Sequence, residues 1–165
     1  MGNARSDVSL PIGSTGRLKQ LSTRVDLYLV AALLVGFIVR VWQFGEIPPG
    51  LNQDEASTAY DAFSILNYGV DRNGSHNPVV LISWGSGMYS LASYLEMPFI
   101  AIFGLSATAA RMVFLLAGLA SLPIFYYLLR DAIDLRTARI GVALLAISPW
   151  HIMNSRWGLD SSMFP

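Results

Sequence analysis

The sequence predicts an all-α, polytopic membrane protein, and two observations carry that class. Charged side chains are 13% of the 165 residues, against ~25% in soluble domains. Three apolar segments, at about 27–44, 112–129 and 138–157, each approach the ~20 residues that cross a bilayer core. The mean hydropathy of +0.48 agrees. A formal net charge of zero excludes the broad basic face that nucleic-acid binding needs. With no cysteine, disulfides, thiol nucleophiles and cysteine-based zinc sites are excluded. The long apolar runs exclude disorder.

Residues 1–26 are polar, carry Arg5, Arg17, Lys19 and Arg24, and read as a flexible cytoplasmic tail. The first span, Leu27 to Phe44, is about 27 Å long as a helix. Its one charge, Arg40, sits near an end, from which a long side chain snorkels to the headgroups. A signal peptide would need a shorter polar n-region and a small-residue cleavage site; an uncleaved span fits better. The second span, Met112 to Leu129, contains Pro123. The third, Ala138 to about Trp157, turns polar in its second half, with Ser148, Pro149, His151, Asn154, Ser155 and Arg156.

Val79 to Phe103 is long enough to span but rich in Ser and Gly, and carries Glu96 and Pro98. If it spans, the loop Arg130 to Arg139, with three arginines, falls outside. If it lies in the interface as a helix, that loop joins the cationic tail in the cytoplasm, as the positive-inside rule prefers. The expectation is therefore three spans, a cytoplasmic N-terminus and one outer loop at 45–111. That loop has six acidic residues against two basic ones. The domain is residues 27–165. It is read as the N-terminal portion of a longer protein, because no closing element follows the third segment before Pro165.

Within the outer loop, Pro48-Pro49-Gly50 forms a non-helical exit from the first span. Asn52 as N-cap and Glu55 three residues on form a capping-box pattern. Ala56, Ala59, Tyr60, Phe63 and Leu66 recur at helical spacing, and Gly69 can end that helix. This predicts a helix from about Gln53 to Gly69 with Ala59, Tyr60 and Phe63 inward. Asp71 to Pro78 is dense turn chemistry. Asn73-Gly74-Ser75 matches the glycosylation sequon, and Asn-Gly is equally a common turn pair.

Asp54 and Glu55 are adjacent carboxylates in the first helical turn. Acids favour that position because of the helix dipole. The same dipole keeps a carboxylate ionised for work as a base or metal ligand, and spacing alone leaves both readings open. His76 is a lone turn histidine, ordinarily a surface residue. His151, Asn154, Arg156 and Asp160 gather where the third span ends, either as an interfacial end or as the lining of a wet cavity. No phosphate loop, Rossmann glycine pattern or nucleophile elbow occurs.

In order, these motifs resemble the membrane glycosyltransferases of the C-type fold that use polyprenyl-phosphate sugars, such as protein O-mannosyltransferases and the aminoarabinose transferases. The matching pieces are Pro48-Pro49-Gly50-Leu51-Asn52-Gln53-Asp54-Glu55 and Tyr60 with Gly69, then His76-Asn77-Pro78. Phe103-Gly104-Leu105-Ser106, Ala110-Arg111, Ser148-Pro149-Trp150-His151 and Ser155-Arg156 with Asp160 complete the set. The resemblance implies sugar transfer from the lipid donor to an acceptor hydroxyl on a protein, lipid or glycan. Asp54 and Asp160 would be catalytic, and Glu55, Tyr60, His76 and Arg156 would contact substrate. In members that use a divalent cation, acids of the two outer loops contribute to its site, which makes Asp54 and Asp160 the candidate ligands. The stretch Gly74 to Pro78 lacks the acid-plus-lysine pattern of the aminoarabinose branch. A transporter or channel segment is the alternative function. It would place polar groups nearer mid-span. A membrane subunit with no site is the third.

Overall fold

Asp26 accepts a hydrogen bond from the Tyr28 amide and so caps the first helix, α1 (Leu27–Val41). The computed structural model describes residues 26–83 and 85–159; the cationic tail expected at 1–25 lies outside them. After α1 come α2 (Gln53–Tyr68), a hairpin of β1 (Val80–Ser83) and β2 (Ser86–Tyr89), then α3 (Leu91–Phe103), α4 (Ala107–Ala132), α5 (Leu135–Ile147) and α6 (Pro149–Asn154). The molecule is mostly helical. Among the described residues one helix, α4, is long and apolar enough to cross a membrane.

The three expected spans are therefore corrected. Helix α1 has 15 residues and α5 has 13, each short of the ~20 that cross a bilayer core. Segment 27–44 ends its helix at Val41, where Trp42 leaves helical geometry and Gln43 takes φ 48°. Segment 138–157 breaks at Ser148, because the residue before a proline is pushed out of the α region; its ψ is 118°. Segment 112–129 instead lengthens to 26 residues, starting from Ser106, whose side chain accepts from the Ala109 amide. Pro123 stays within the helix.

Helix α2 forms as expected. Asn52 Oδ1 accepts from the amides of Asp54 (2.7 Å) and Glu55 (3.0 Å), and Glu55 Oε2 accepts from the Asn52 amide (3.0 Å). Gly69 ends it at φ 72°, a left-handed position that glycine adopts freely. The inward face differs from the apolar periodicity. Ala59 is buried and Phe63 is partly so, but Tyr60 is 51% exposed. Glu55, Thr58 and Asp61 take the interior instead. Glu55 pairs there with the buried Arg111 and Asp61 with the partly exposed Arg72, while Thr58 Oγ1 donates to Asp54 O of its own helix; hydrophobic spacing registers none of these.

Val79 to Phe103 is not one interfacial helix. Its first half is the antiparallel hairpin, with Val80 opposite Tyr89 and Leu81 opposite Met88. β-Branched Val79, Val80 and Ile82 with Gly85 and Gly87 favour strands and a turn over helix. The second half is α3, at 13 residues too short to span.

Two clusters organise the packing, and α4 belongs to both. Its C-terminal half packs with α1 and α5 around Ala32, Leu122, Tyr126, Ala138, Val142 and Ala146. Its N-terminal half packs with α2 and α3 around Ala59, Ala62, Ile100, Ala109 and Ala110. Small residues set the separations inside. A Cβ on Gly118 would stand 2.2 Å from Ser155 Cβ, so α4 touches the end of α6 backbone to side chain. Large apolar residues face outward, among them Leu34, Phe37 and Ile38 of α1, Ile124 and Leu128 of α4, and Ile140 and Leu144 of α5.

The Gly118 contact makes a stability prediction. Gly118→Ala should cost about 1–3 kcal/mol by overpacking, read as a lower Tm in detergent. Adding Ser155→Gly should restore part of the loss; no restoration would show that the two positions are not in contact.

Candidate functional site

Arg111 lies in the second turn of α4 and is fully buried. Its Nε donates to Glu55 Oε1 (2.8 Å) and its Nη2 to Glu55 Oε2 (3.0 Å), a paired geometry that suits a guanidinium and a carboxylate. The remaining donors reach two carbonyls of the exit turn from α1: Nη1 to Pro48 O (2.9 Å) and Nη2 to Gly50 O (2.6 Å). Glu55 Oε1 also accepts from the Gly158 amide at 2.7 Å. One ion pair thus joins the starts of α2 and α4, the turn at 48–50 and the segment after α6. Burial alone would raise the Glu55 carboxyl. The Arg111 guanidinium and the amides of Asn52 and Gly158 outweigh it and hold Glu55 below its ordinary range.

Glu96, on α3, is fully buried, and neither carboxylate oxygen has a hydrogen-bond partner. Burial, with Glu55 nearby, pushes it up to about 9. It therefore sits protonated and neutral at pH 7. One turn earlier Ser93 Oγ donates to Thr58 O (3.0 Å), fastening α3 to α2. One turn further along α2, Asp61 receives the Arg72 amide (3.0 Å) and pairs with its guanidinium (3.2 Å). Asp71 Oδ1 then closes the following turn by accepting from the amides of Asn73 (2.9 Å) and Ser75 (2.8 Å). Arg72 also reaches Ser57 Oγ.

Two further arginines close the ends of broken helices. Arg156 donates to Val39 O (3.0 Å), Gln43 O (3.1 Å) and Ile47 O (3.0 Å). Arg40 donates to Gly36 O (2.9 Å), Ala146 O (3.0 Å) and His151 Nδ1 (2.7 Å). Since Arg40 must donate, His151 carries its proton on Nε2, which reaches Ser121 Oγ at 2.9 Å.

Among the described residues, the expected site residues stand in different surroundings. Asp54 is exposed, and among the described residues its carboxylate accepts no hydrogen bond. Glu55, next in sequence, is turned inward into the clamp, where it both caps α2 and neutralises Arg111. Tyr60 faces out, and His76 is exposed in a turn, bridged to Val70. Arg156 is buried on backbone carbonyls. Asp160 lies outside the described residues, two positions beyond the Gly158 that binds Glu55. No group of three or more His, Asp or Glu able to hold a metal occurs among the described residues. Both oxygens of Glu55 are occupied, and Asp54 beside it offers an open carboxylate.

Sequence reasoning did not single out Arg111 as a partner, and it noted Glu96 only as a polar interruption of Val79 to Phe103. The signal was present, since Glu96 is the one charge between Arg72 and Arg111, and an ionisable side chain in an apolar stretch is a site by default. No family model, curated protein or solved structure matches the chain.

Two predictions follow from the clamp and its neighbour. Glu55→Gln should cost about 3–5 kcal/mol by leaving Arg111 buried without a counter-charge. The double variant Glu55→Gln, Arg111→Met should recover much of that loss in denaturant titrations. Glu96→Gln should act through pH. Below ordinary carboxylate values the folded and unfolded chains are both protonated at residue 96. As pH rises toward 9 the unfolded chain releases that proton and the folded one keeps it, so wild-type stability falls. The Gln variant should be flatter over this range and more stable at pH 8; parallel Tm–pH curves for the two proteins would refute it.

Proposed function

We propose that the chain is the N-terminal part of a polyprenyl-phosphate-sugar glycosyltransferase, with Asp54 as the base that deprotonates the acceptor. The observation that carries this reading is the division between two adjacent carboxylates. Glu55 is locked inward, and that fixes the first turn of α2. Asp54 stands exposed on the same turn with an open carboxylate. The resemblance in motif order supplies the reaction class. In that reaction Asp54 takes the proton of the acceptor hydroxyl, the hydroxyl oxygen bonds to the anomeric carbon, and the carbon–phosphate-oxygen bond breaks. Polyprenyl phosphate leaves with its electron pair, and attack opposite the leaving group inverts configuration.

Three features support a membrane that α4 crosses, with the start of α1 on its cytoplasmic side. Small residues lie between α1, α4 and α5 while large apolar ones face out, as in membrane bundles. Asp26, at the start of α1, accepts from Tyr126 and from Arg139 Nε (3.0 Å), so the start of α1 and the arginine-rich loop share one end. Helices α2 and α3 pack at the other end of α4, where Asp54 would meet a lipid-borne donor. Donor lipid, membrane lipids and an acceptor protein, lipid or glycan are the partners this reading requires.

A decisive measurement is sugar transfer from a polyprenyl-phosphate donor by the full-length protein in liposomes. Asp54→Asn removes the base while nearly keeping size, and transfer should fall at least ~100-fold, the low end of what a positioned base contributes. Near-normal turnover by a folded Asp54→Asn protein would reduce Asp54 to a helix-terminus residue and end the assignment.

A further inference from the structure

From Asn73 to Ala110 the chain carries a single formally charged side chain, Glu96, and that one is fully buried. The described exposed surface of this region is consequently free of Asp, Glu, Lys and Arg. It is also strongly apolar. In the hairpin, Leu81 is buried while Val80, Ile82 and Tyr89 are exposed, Tyr89 lying opposite Val80 in the register. Val79, just before the hairpin, is 84% exposed. Helix α3 repeats the pattern at helical spacing. Leu91, Leu95, Pro98 and Ile102 face outward, and Ala92, Ser93, Glu96 and Ile100 face inward. A helix on a water-exposed surface turns its carboxylate to solvent and its leucines inward. In α3 both are reversed.

We propose that the outward face of the hairpin and the Leu91–Ile102 stripe together lie on the bilayer, inserted into the boundary between headgroups and acyl chains. The inference rests on α4 crossing that bilayer. Only Gly104–Ser106 separate α3 from α4, so the stripe runs directly into the start of the candidate span. A shallow groove lined by Pro78, Val79, Tyr89, Leu91 and Tyr94 belongs to the same surface. Interfacial segments usually combine apolar burial with basic residues that seek anionic lipid. Here the basic residues are missing, so contact is apolar and indifferent to headgroup charge. Tyr89 is suited to the boundary, where an aromatic ring is buried and its hydroxyl stays wet. The contact would fix the height of α2, and with it Asp54, above the membrane.

The absence of cysteine allows single-cysteine variants with no background, each carrying a polarity-sensitive fluorophore in full-length protein in liposomes. Ile82→Cys and Leu95→Cys are the test positions. Ile124→Cys, exposed on α4, reports the span, and exposed Ala56→Cys on α2 is the aqueous control. Lipids brominated near the top of the acyl chain should quench the first two at least about twofold, as expected for burial ~5–10 Å deep. The result should be the same with and without phosphatidylglycerol, and Ala56→Cys should stay unquenched. If Ile124→Cys is quenched and the test positions are not, the proposal fails alone. Blue-shifted but unquenched test probes mean that protein covers this face, which also overturns it. An unquenched Ile124→Cys removes the span reading and the proposal together.

Discussion

A guanidinium without water has to find its acceptors within the protein, and Arg111 finds them in segments far apart in sequence. Glu55 comes from the start of α2, Pro48 and Gly50 from the exit turn of α1, and Glu55 in turn binds the Gly158 amide. In a low-dielectric interior each of these bonds is strong, and losing any one is costly. The exit turn, the orientation of α2 and the path after α6 are all set by satisfying this one side chain. Gly158 is part of the fit, since a Cβ there would stand 3.2 Å from Glu55 Oε1.

Arg156 and Arg40 answer a related demand. A helix end leaves carbonyls without intrahelical partners, and this chain breaks two apolar segments, after Val41 and at Ser148. Away from water those carbonyls need donors. Arg156 supplies them to Val39, Gln43 and Ile47, and Arg40 to Leu145 and Ala146. The positive guanidinium also complements the negative end of the helix dipole. Arg40, which reads in sequence as a snorkelling residue, and Arg156, which reads as a substrate contact, both let non-helical backbone be buried in the fold. Most of their donors are used on the chain itself, whereas Asp54 is exposed.

Legibility in the sequence followed the range of the forces involved. Helix α2 was readable end to end, because the Asn52–Glu55 capping box and Gly69 act over a few residues. Helix α4 was readable from its long apolar run. The hairpin was not, since strands of four residues are too short for alternation to show against a serine- and glycine-rich background. Tyr60 was placed inward because apolar spacing cannot see that Glu55, Thr58 and Asp61 each hold a partner. That Glu55 pairs with Arg111, 56 positions away, required the fold. Asp54 as an open carboxylate was legible, but its division of labour with Glu55 was not.

That division explains how an exposed carboxylate can be held in place. Surface acids ordinarily sample several rotamers on a helix end that frays. Here the first turn of α2 cannot fray, because its third residue is fixed through both oxygens to Arg111, Asn52 and Gly158. Glu96, buried near Glu55, stays protonated, so no second negative charge is set against that of Glu55. The backbone of Asp54 is therefore placed by its neighbour's burial, while its own side chain stays exposed.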